Sequence, residues 1–186
     1  MDDDRTRWDL RWSDRPILDP TPPALLAAHL DLVPGSGRAI DLACGQGAHA
    51  VWLALRGLDV VGVDVSPVAI ERANALAASH GVSGRCRFVL ADLDDGLPPE
   101  AQGSFDLVLC QRFRDRRLYA AMQALVAPGG VLAVTVLSRV DRPGATSSFL
   151  ADPGETIEIA GDLDVIARTE ADGEASVLAR RPGTHG

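Results

Sequence analysis

The segment RAIDLACGQGAHA, residues 38–50, decides the fold of this chain. It begins with an apolar run around Ile40, as a buried strand does, breaks at Gly45 and Gly47, and resumes in a helical pattern. A strand, a glycine turn and a helix bring backbone N–H groups and a helix N-terminus close to a ligand. Asp41 stands near the end of the strand, where its carboxylate would repel a pyrophosphate but suits a cationic ligand.

Two kinds of ligand fit this turn. The spacing Gly45-x-Gly47-x-x-Ala50 satisfies the dinucleotide fingerprint, so the glycines alone leave a nicotinamide nucleotide open. The longer pattern Asp-x-Ala-x-Gly-x-Gly, from Asp41 to Gly47, resembles the first motif of the class I S-adenosylmethionine (SAM) methyltransferases. The acidic residue favours SAM, which is a sulfonium, over NAD.

The composition indicates one globular domain. The chain has 186 residues, of which 46% are hydrophobic and 24% are charged. It contains no apolar run long enough for a membrane span, and its polar N-terminus lacks the apolar centre of a signal peptide, so we expect a cytoplasmic protein. The net charge of −8 argues against nucleic acid and anionic membranes as partners. All 18 basic residues are Arg, which excludes Schiff-base lysine chemistry and a P-loop lysine.

The cysteines and histidines show neither disulfide nor metal-ligand spacing, so no metal is expected. The chain has no C-x-x-C pair, and small buried thiols are the favoured interpretation. The residues concerned are Cys44, Cys86, Cys110, His29, His49, His80 and His185.

Strand and helix patterns alternate along the chain. An N-terminal arm, residues 1–21, precedes a single domain, residues 22–186. After the first strand, further strands are predicted at residues 58–64, 87–90, 104–110 and 131–137. Helices are predicted at residues 21–33, 48–56, 67–79, 118–126 and, weakly, 154–160. This alternation predicts a parallel sheet with right-handed crossovers.

The C-terminal part has a different pattern. Residues 139–153 form a long polar loop, of a kind that often acts as a binding lid. Two further strand-like runs, residues 163–169 and 175–181, flank Asp172-Gly173, which predicts a β-hairpin. The last residues, 182–186, are expected to fray.

Trp8 and Trp12 lie four residues apart in the arm, and therefore on one face if the arm is helical. They either anchor the arm to the domain or cover the ligand cleft, and both roles can hold together because a cofactor pocket needs an apolar cover.

Asp64 stands at the end of the second strand, 19 residues after Gly45. An acid at that separation from a glycine turn can accept hydrogen bonds from ribose hydroxyls. The alternative is an acid that caps the strand end.

The resemblance to class I SAM methyltransferases extends over most of the chain. The segments that carry it, in order, are DLACGQG, VVGVDVSP, FVLADLDDGLP, FDLVLCQRF and LVAPGGVLAVTV. It implies an α/β, Rossmann-like, doubly wound sheet of seven strands, mostly parallel, with a C-terminal antiparallel hairpin. The small size and the Trp-bearing arm resemble the small-molecule branch, which includes tellurite-resistance and thiopurine-type enzymes.

The resemblance also implies the cofactor-binding residues. Asp41, Ala43, Gly45 and Gly47 would line the methionine moiety, and Asp64, followed by Val65, would bind the ribose. Asp92 and Leu93 would contact the adenine, and Trp12 would cover the site. Cys110, Gln111 and Arg112 would lie under the cofactor at the end of the fourth strand, with Gln111 and Arg112 as candidate acceptor-site residues.

The predicted reaction is an in-line transfer of a methyl group from SAM to a small-molecule acceptor. The alternatives are an NAD-dependent oxidoreductase and a non-catalytic SAM- or nucleotide-binding module. Alternation beyond the fourth strand would place Arg112 and Arg114 on one side, towards the crevice, and would favour a small anionic acceptor. Alternatively, Arg112, Arg114, Arg116 and Arg117 are the solvated start of a helix.

Overall fold

The computed structural model describes residues 2–142, 144, 147 and 149–183, with side chains from residue 5 onward. It contains a seven-stranded mixed sheet in the order β3-β2-β1-β4-β5-β7-β6. β1–β2, β2–β3 and β4–β5 pair in parallel, whereas β7 is antiparallel to β5 and β6. The strands are β1 Gly37–Leu42, β2 Leu58–Asp64, β3 Cys86–Leu90, β4 Phe105–Gln111, β5 Val126–Leu137, β6 Asp164–Ala171 and β7 Glu174–Arg180. The predicted fold class is confirmed.

Six α-helices lie among the described residues. They are α1 Asp2–Ser13, α2 Ala24–Ala27, α3 Ala48–Leu55, α4 Pro67–Ser79, α5 Tyr119–Leu125 and α6 Thr156–Ala160. None of the described helices is both long and apolar enough to cross a membrane. The chain forms two compact units, one of residues 1–23 and 34–102 and the other of residues 24–33 and 103–186. The division into an arm and a single domain stays a prediction.

The core of the first unit lies where β1 and β2 pack against α3 and α4. Ile40 and Leu42 of β1 are fully buried, as is Val51 of α3. Ser66 caps α4, because its hydroxyl accepts a hydrogen bond from the Ala69 N–H at 3.2 Å and Pro67 occupies the first turn. The bounds of α4 are those that the sequence predicts, residues 67–79.

The core of the second unit lies where β4, β5 and β7 pack against α5 and α6. Its largest fully buried side chains are Leu26, Phe105, Leu107, Leu109, Leu132, Ile159 and Leu178. The hairpin of β6 and β7 turns at Asp172 and Gly173, whose φ angles of 53° and 75° are the pair that a type I′ turn requires.

Two predicted elements differ from the structure. The helix predicted for residues 21–33 is only α2 and a 3₁₀ turn, Leu30–Leu32, because His29 between them has a non-helical backbone. The strand predicted from residue 131 begins at Val126 instead, so that residues 128–130 are part of β5. Pairing with the chain end explains this, since the Gly129 N–H donates to the Arg181 carbonyl and the Arg181 N–H to the Gly130 carbonyl. Residues 184–186 of the predicted frayed end lie outside the described residues.

Candidate cofactor site

The glycine turn after β1 has an unusual backbone. Ala43, Gly45 and Gly47 all lie in the left-handed region, with φ of 58°, 54° and 77°. Ala43 carries a Cβ there, which costs about 1–2 kcal/mol. Residues held in such conformations are concentrated at ligand sites, where the surrounding structure fixes them. Gly47 then caps α3, because its carbonyl accepts the Val51 N–H at 2.8 Å.

At Gly47 and at Gly45, different neighbouring side chains leave no room for a Cβ atom. A Cβ on Gly47 would lie 2.8 Å from the Ala73 Cβ and 3.1 Å from the Phe88 ring, so it would collide with the core. The protein's own core, and not only a ligand, therefore requires a glycine at this position. A Cβ on Gly45 would lie 2.7 Å from the ring of Trp12, which covers the turn at this position.

Asp41 is a buried carboxylate without a partner. It is 1% exposed, and neither of its oxygens makes a hydrogen bond to any described residue. Burial, together with the negative charge of Asp64, raises the pKa of Asp41 well above its ordinary value. Buried polar groups are almost always hydrogen-bonded, and a buried charge is costly unless it is paired. A cationic ligand group would supply the missing partner.

Asp64 has partners within the protein. Its two oxygens accept the Gly45 N–H at 2.8 Å and the Ser66 N–H at 3.0 Å. Burial raises the pKa of Asp64, while these N–H groups oppose the shift. The acid therefore ties the glycine turn to the start of α4, as the capping interpretation holds. Each carboxylate oxygen can accept a second hydrogen bond, so the ribose role stays a prediction.

The N-terminal arm packs against the turn and against α4. Trp8 and Trp12 stack with ring centroids 6.2 Å apart, which confirms that they share a face of α1. Asp9 accepts a hydrogen bond from the Ser66 hydroxyl. The Arg72 guanidinium donates to the carbonyls of Ser13 at 3.0 Å and Arg15 at 2.7 Å, at the C-terminal end of α1. These contacts anchor the arm while Trp12 covers Gly45.

Gln46 is a site residue that the sequence did not single out. It is 2% exposed, and its amide nitrogen donates to the Pro16 carbonyl of the arm at 3.1 Å. The glycine pattern accepts any residue between the two glycines, so the sequence does not mark Gln46 as a site residue. Its contact with the arm does. His49, at the second position of α3, contacts the Thr21 carbonyl through Nδ1 at 2.8 Å and serves the arm in the same way.

The remaining predicted residues of the first unit lie at the ends of β2 and β3. Val65 is partly buried and follows Asp64 directly. Asp92 accepts the Asp94 N–H at 3.0 Å and caps the 3₁₀ turn Leu93–Asp95, in which Leu93 is 5% exposed. Their contact with an adenine stays a prediction.

Three predicted residues belong to the second unit. Cys110 is fully buried, and Gln111 donates its amide to the Cys110 carbonyl at 3.0 Å. Arg112 has a φ of 56° and forms an ion pair with Glu174 at 2.6 Å. The left-handed backbone ends the extended strand at Gln111, so the expected alternation from Arg112 to Arg114 is wrong.

Arg114 is the partner of a buried acid. The Glu155 side chain is 1% exposed and accepts two bonds from the Arg114 guanidinium at 2.7 and 2.8 Å, one from the Tyr119 hydroxyl at 2.6 Å and one from the Asp152 N–H at 3.1 Å. The interpretation that Arg114 faces an acceptor is therefore wrong. Arg116 and Arg117 pair with acids while 49% and 66% of their side chains are exposed, as a solvated helix start predicts.

The described residues contain no group of three or more His, Cys, Asp or Glu that could hold a metal ion, and His185 lies outside them. Burial raises the pKa of Cys44 well above its ordinary value and that of Cys86 to about 11. Such thiols are protonated at neutral pH and are poor nucleophiles.

Comparison with known proteins gives the family. A family model described as a methyltransferase domain matches residues 39–130, from β1 into β5. Residues 39–130 form a methyltransferase domain. The methyltransferase GfsG of Streptomyces halstedii is 30% identical over 181 residues, which are 94% of this chain and 59% of the relative. The ribosomal RNA small subunit methyltransferase C of Alcanivorax borkumensis is 37% identical over 52% of this chain and 31% of its own length.

The solved structures agree on the fold. TehB from Haemophilus influenzae superposes with a TM-score of 0.72 at 19% identity, covering 86% of this chain and 62% of TehB. At this identity the similarity concerns the fold alone. The chain spans about a third of the length of the ribosomal RNA methyltransferase and about three fifths of the length of GfsG.

The residues of the turn fit SAM. Its methionine moiety carries an ammonium group, its sulfur is a cation, and Asp41 is a buried acid that lacks a cationic partner. A dinucleotide would instead bring a pyrophosphate to this turn, where Asp41 would repel it.

Proposed function

We propose that this protein transfers the methyl group of SAM to a small-molecule acceptor. The observation that carries the proposal is the unpartnered carboxylate of Asp41 at the left-handed turn of Ala43, Gly45 and Gly47. A protein that kept this buried acid for packing would have paired it, as it has paired Glu155.

In the proposed complex, each residue has a binding or positioning role. Asp41 holds the ammonium group, Asp64 accepts from the ribose, and Asp92 and Leu93 contact the adenine. The bound cofactor supplies an activated methyl group with its own leaving group, so the protein mainly orients the acceptor and excludes water. Orientation of this kind can be worth about 7–11 kcal/mol.

A small acceptor is favoured over nucleic acid by charge. The net charge of −8 opposes the approach of a phosphate backbone. The relative that is named for ribosomal RNA aligns with only 52% of this chain. The side chain of Arg112 is 66% exposed and pairs with Glu174, so a contribution to binding an anionic acceptor would require it to exchange that partner. The order of preference is a small anionic acceptor, then a neutral one.

Binding measurements followed by turnover test the proposal. Calorimetric titration should show binding of SAM and of its product S-adenosylhomocysteine, and none of NAD. Incubation with SAM and a panel of oxygen, sulfur and amine acceptors should then yield methylated product. Binding of NAD without SAM would overturn the proposal in favour of an oxidoreductase. Tight binding of SAM without turnover on any acceptor would favour a non-catalytic module.

A further inference from the structure

Two polar atoms beneath the N-terminal arm lack the partners that their chemistry requires. Gln46 Oε1 and Trp12 Nε1 are both buried, and neither makes a hydrogen bond to any described residue. The Gln46 amide orientation is fixed, because its nitrogen donates to the Pro16 carbonyl and a carbonyl can only accept. The free atom is therefore an acceptor on Gln46, whereas the indole nitrogen of Trp12 can only donate.

These atoms belong to one small region of the turn. Trp12 lies against Gly45, the residue before Gln46. Asp41 belongs to the end of β1, two residues before Ala43, the first left-handed residue of this turn. Burying each unpartnered group costs about 1–3 kcal/mol. The site thus offers unsatisfied acceptors on Gln46 and Asp41 and one unsatisfied donor on Trp12.

We infer that Gln46 and Trp12 recognise the zwitterionic amino-acid end of the cofactor. Gln46 Oε1 accepts a hydrogen bond from the ammonium group beside Asp41, and the Trp12 indole N–H donates to the carboxylate. This inference rests on the proposed function and names the part of the ligand that the arm contacts. The arm thereby selects a cofactor with a complete amino-acid end.

A pair of ligands isolates this contact. S-adenosylhomocysteine carries the zwitterion, whereas 5′-methylthioadenosine has the same nucleoside and a thioether but lacks the amino-acid end. Gln46→Met and Trp12→Phe remove the acceptor and the donor while keeping most of the side-chain volume. Each should weaken S-adenosylhomocysteine binding about 10- to 100-fold, the value of a hydrogen bond to a charged group. The dissociation constant of methylthioadenosine should stay within about twofold.

Arg72→Met is the control for displacement of the arm. It removes the guanidinium that holds Ser13 and Arg15, but leaves the polar atoms of Gln46 and Trp12 in place. The dissociation constant of methylthioadenosine divided by that of S-adenosylhomocysteine should fall only in the Gln46 and Trp12 variants.

Three outcomes would contradict the inference. If both ligands weaken equally in Gln46→Met and Trp12→Phe, the two side chains only hold the arm. If S-adenosylhomocysteine binds both variants as it binds the wild type, buried water satisfies these atoms. If the wild type binds neither ligand, the proposed function fails and the inference fails with it. The two variants alter different elements, so a folding defect in one leaves the other as the test.

Discussion

Two buried acids, Asp41 and Glu155, have opposite surroundings in the same chain. Each is about 1–2% exposed. Burial alone would raise the pKa of Glu155, but the bonds from Arg114, Tyr119 and the Asp152 N–H outweigh it and lower this pKa to about 2. Asp41 receives no such bond, and its pKa is raised. Glu155 is complete in the folded chain and therefore structural, whereas Asp41 needs a partner from outside the protein.

The largest expected effect is the loss of stability when Glu155, the paired acid, loses its partner Arg114. Arg114→Ala should lower the free energy of unfolding by about 3–5 kcal/mol, because it leaves the buried charge of Glu155 without its main partner. Denaturant unfolding measures this loss. Arg87→Ala is the matched control, since the Arg87 side chain is 69% exposed in its pair with Glu100 and should cost at most about 1 kcal/mol. Equal losses in the two variants would contradict the structural role of Glu155.

Substitution of Asp64 tests an acid with a mixed role. Asp64→Ala should weaken SAM binding by about 1.5–3 kcal/mol, the value of a hydrogen bond to a charged group. It should also lower the free energy of unfolding by about 1–3 kcal/mol, because the N–H groups of Gly45 and Ser66 lose their acceptor. Calorimetry and denaturant unfolding measure the two effects. Unchanged affinity with a reduced stability would leave Asp64 as a cap only.

The two buried acids should also give opposite pH dependences of stability. Glu155 has a lower pKa in the folded than in the unfolded protein, so its contribution is present above about pH 4.5 and is lost as the pH falls towards 2. The pKa of Asp41 is raised on folding, so its contribution is present at low pH and is lost as the pH rises through the folded value.

Unfolding free energies measured across this pH range check both signs. Glu155→Gln should remove part of the loss at acidic pH, and Asp41→Asn should raise the stability at neutral pH relative to the wild type. A pH profile of Asp41→Asn that is superimposable on that of the wild type would mean that Asp41 already has a partner.

The smallest expected effect concerns the strained residue of the turn. Ala43→Gly should stabilise the folded state by about 1–2 kcal/mol, because it relieves the left-handed strain. The greater freedom of glycine in the unfolded chain should offset about 0.4–1 kcal/mol of this gain. The net result is a gain of about 0.5–1 kcal/mol in the free energy of unfolding. The same substitution at Ala127, which has no left-handed backbone, should not stabilise. A loss of stability in Ala43→Gly would mean that the Ala43 methyl makes a contact worth more than its strain.

The fold could be predicted because its determinants are local in sequence. Apolar periodicity predicted the strands, the helical pattern of residues 67–79 predicted α4, and Asp172-Gly173 predicted the hairpin. The early start of β5 could not be predicted, because Gly129 pairs with Arg181, 52 residues away along the chain.

The candidate site was only partly predictable for the same reason. The spacing of Asp41, Gly45 and Gly47 marks the turn, but no local pattern shows that Asp41 lacks a partner or that Gln46 contacts Pro16. The pairing of Arg114 with Glu155 spans 41 residues and reverses the role expected for this arginine. Partners that are distant in sequence are decided by tertiary packing.

If Asp41 binds the ammonium group of the cofactor, binding should release protons from this carboxyl group. Calorimetric titration with S-adenosylhomocysteine, in two buffers of different ionisation enthalpy near the acidic end of the stable range, measures this release. The wild type should release protons, because the ammonium group lowers the raised pKa of Asp41, and Asp41→Asn should bind at least about tenfold more weakly without that release. Equal affinity and equal proton release in the two proteins would show that Asp41 does not bind the ammonium group.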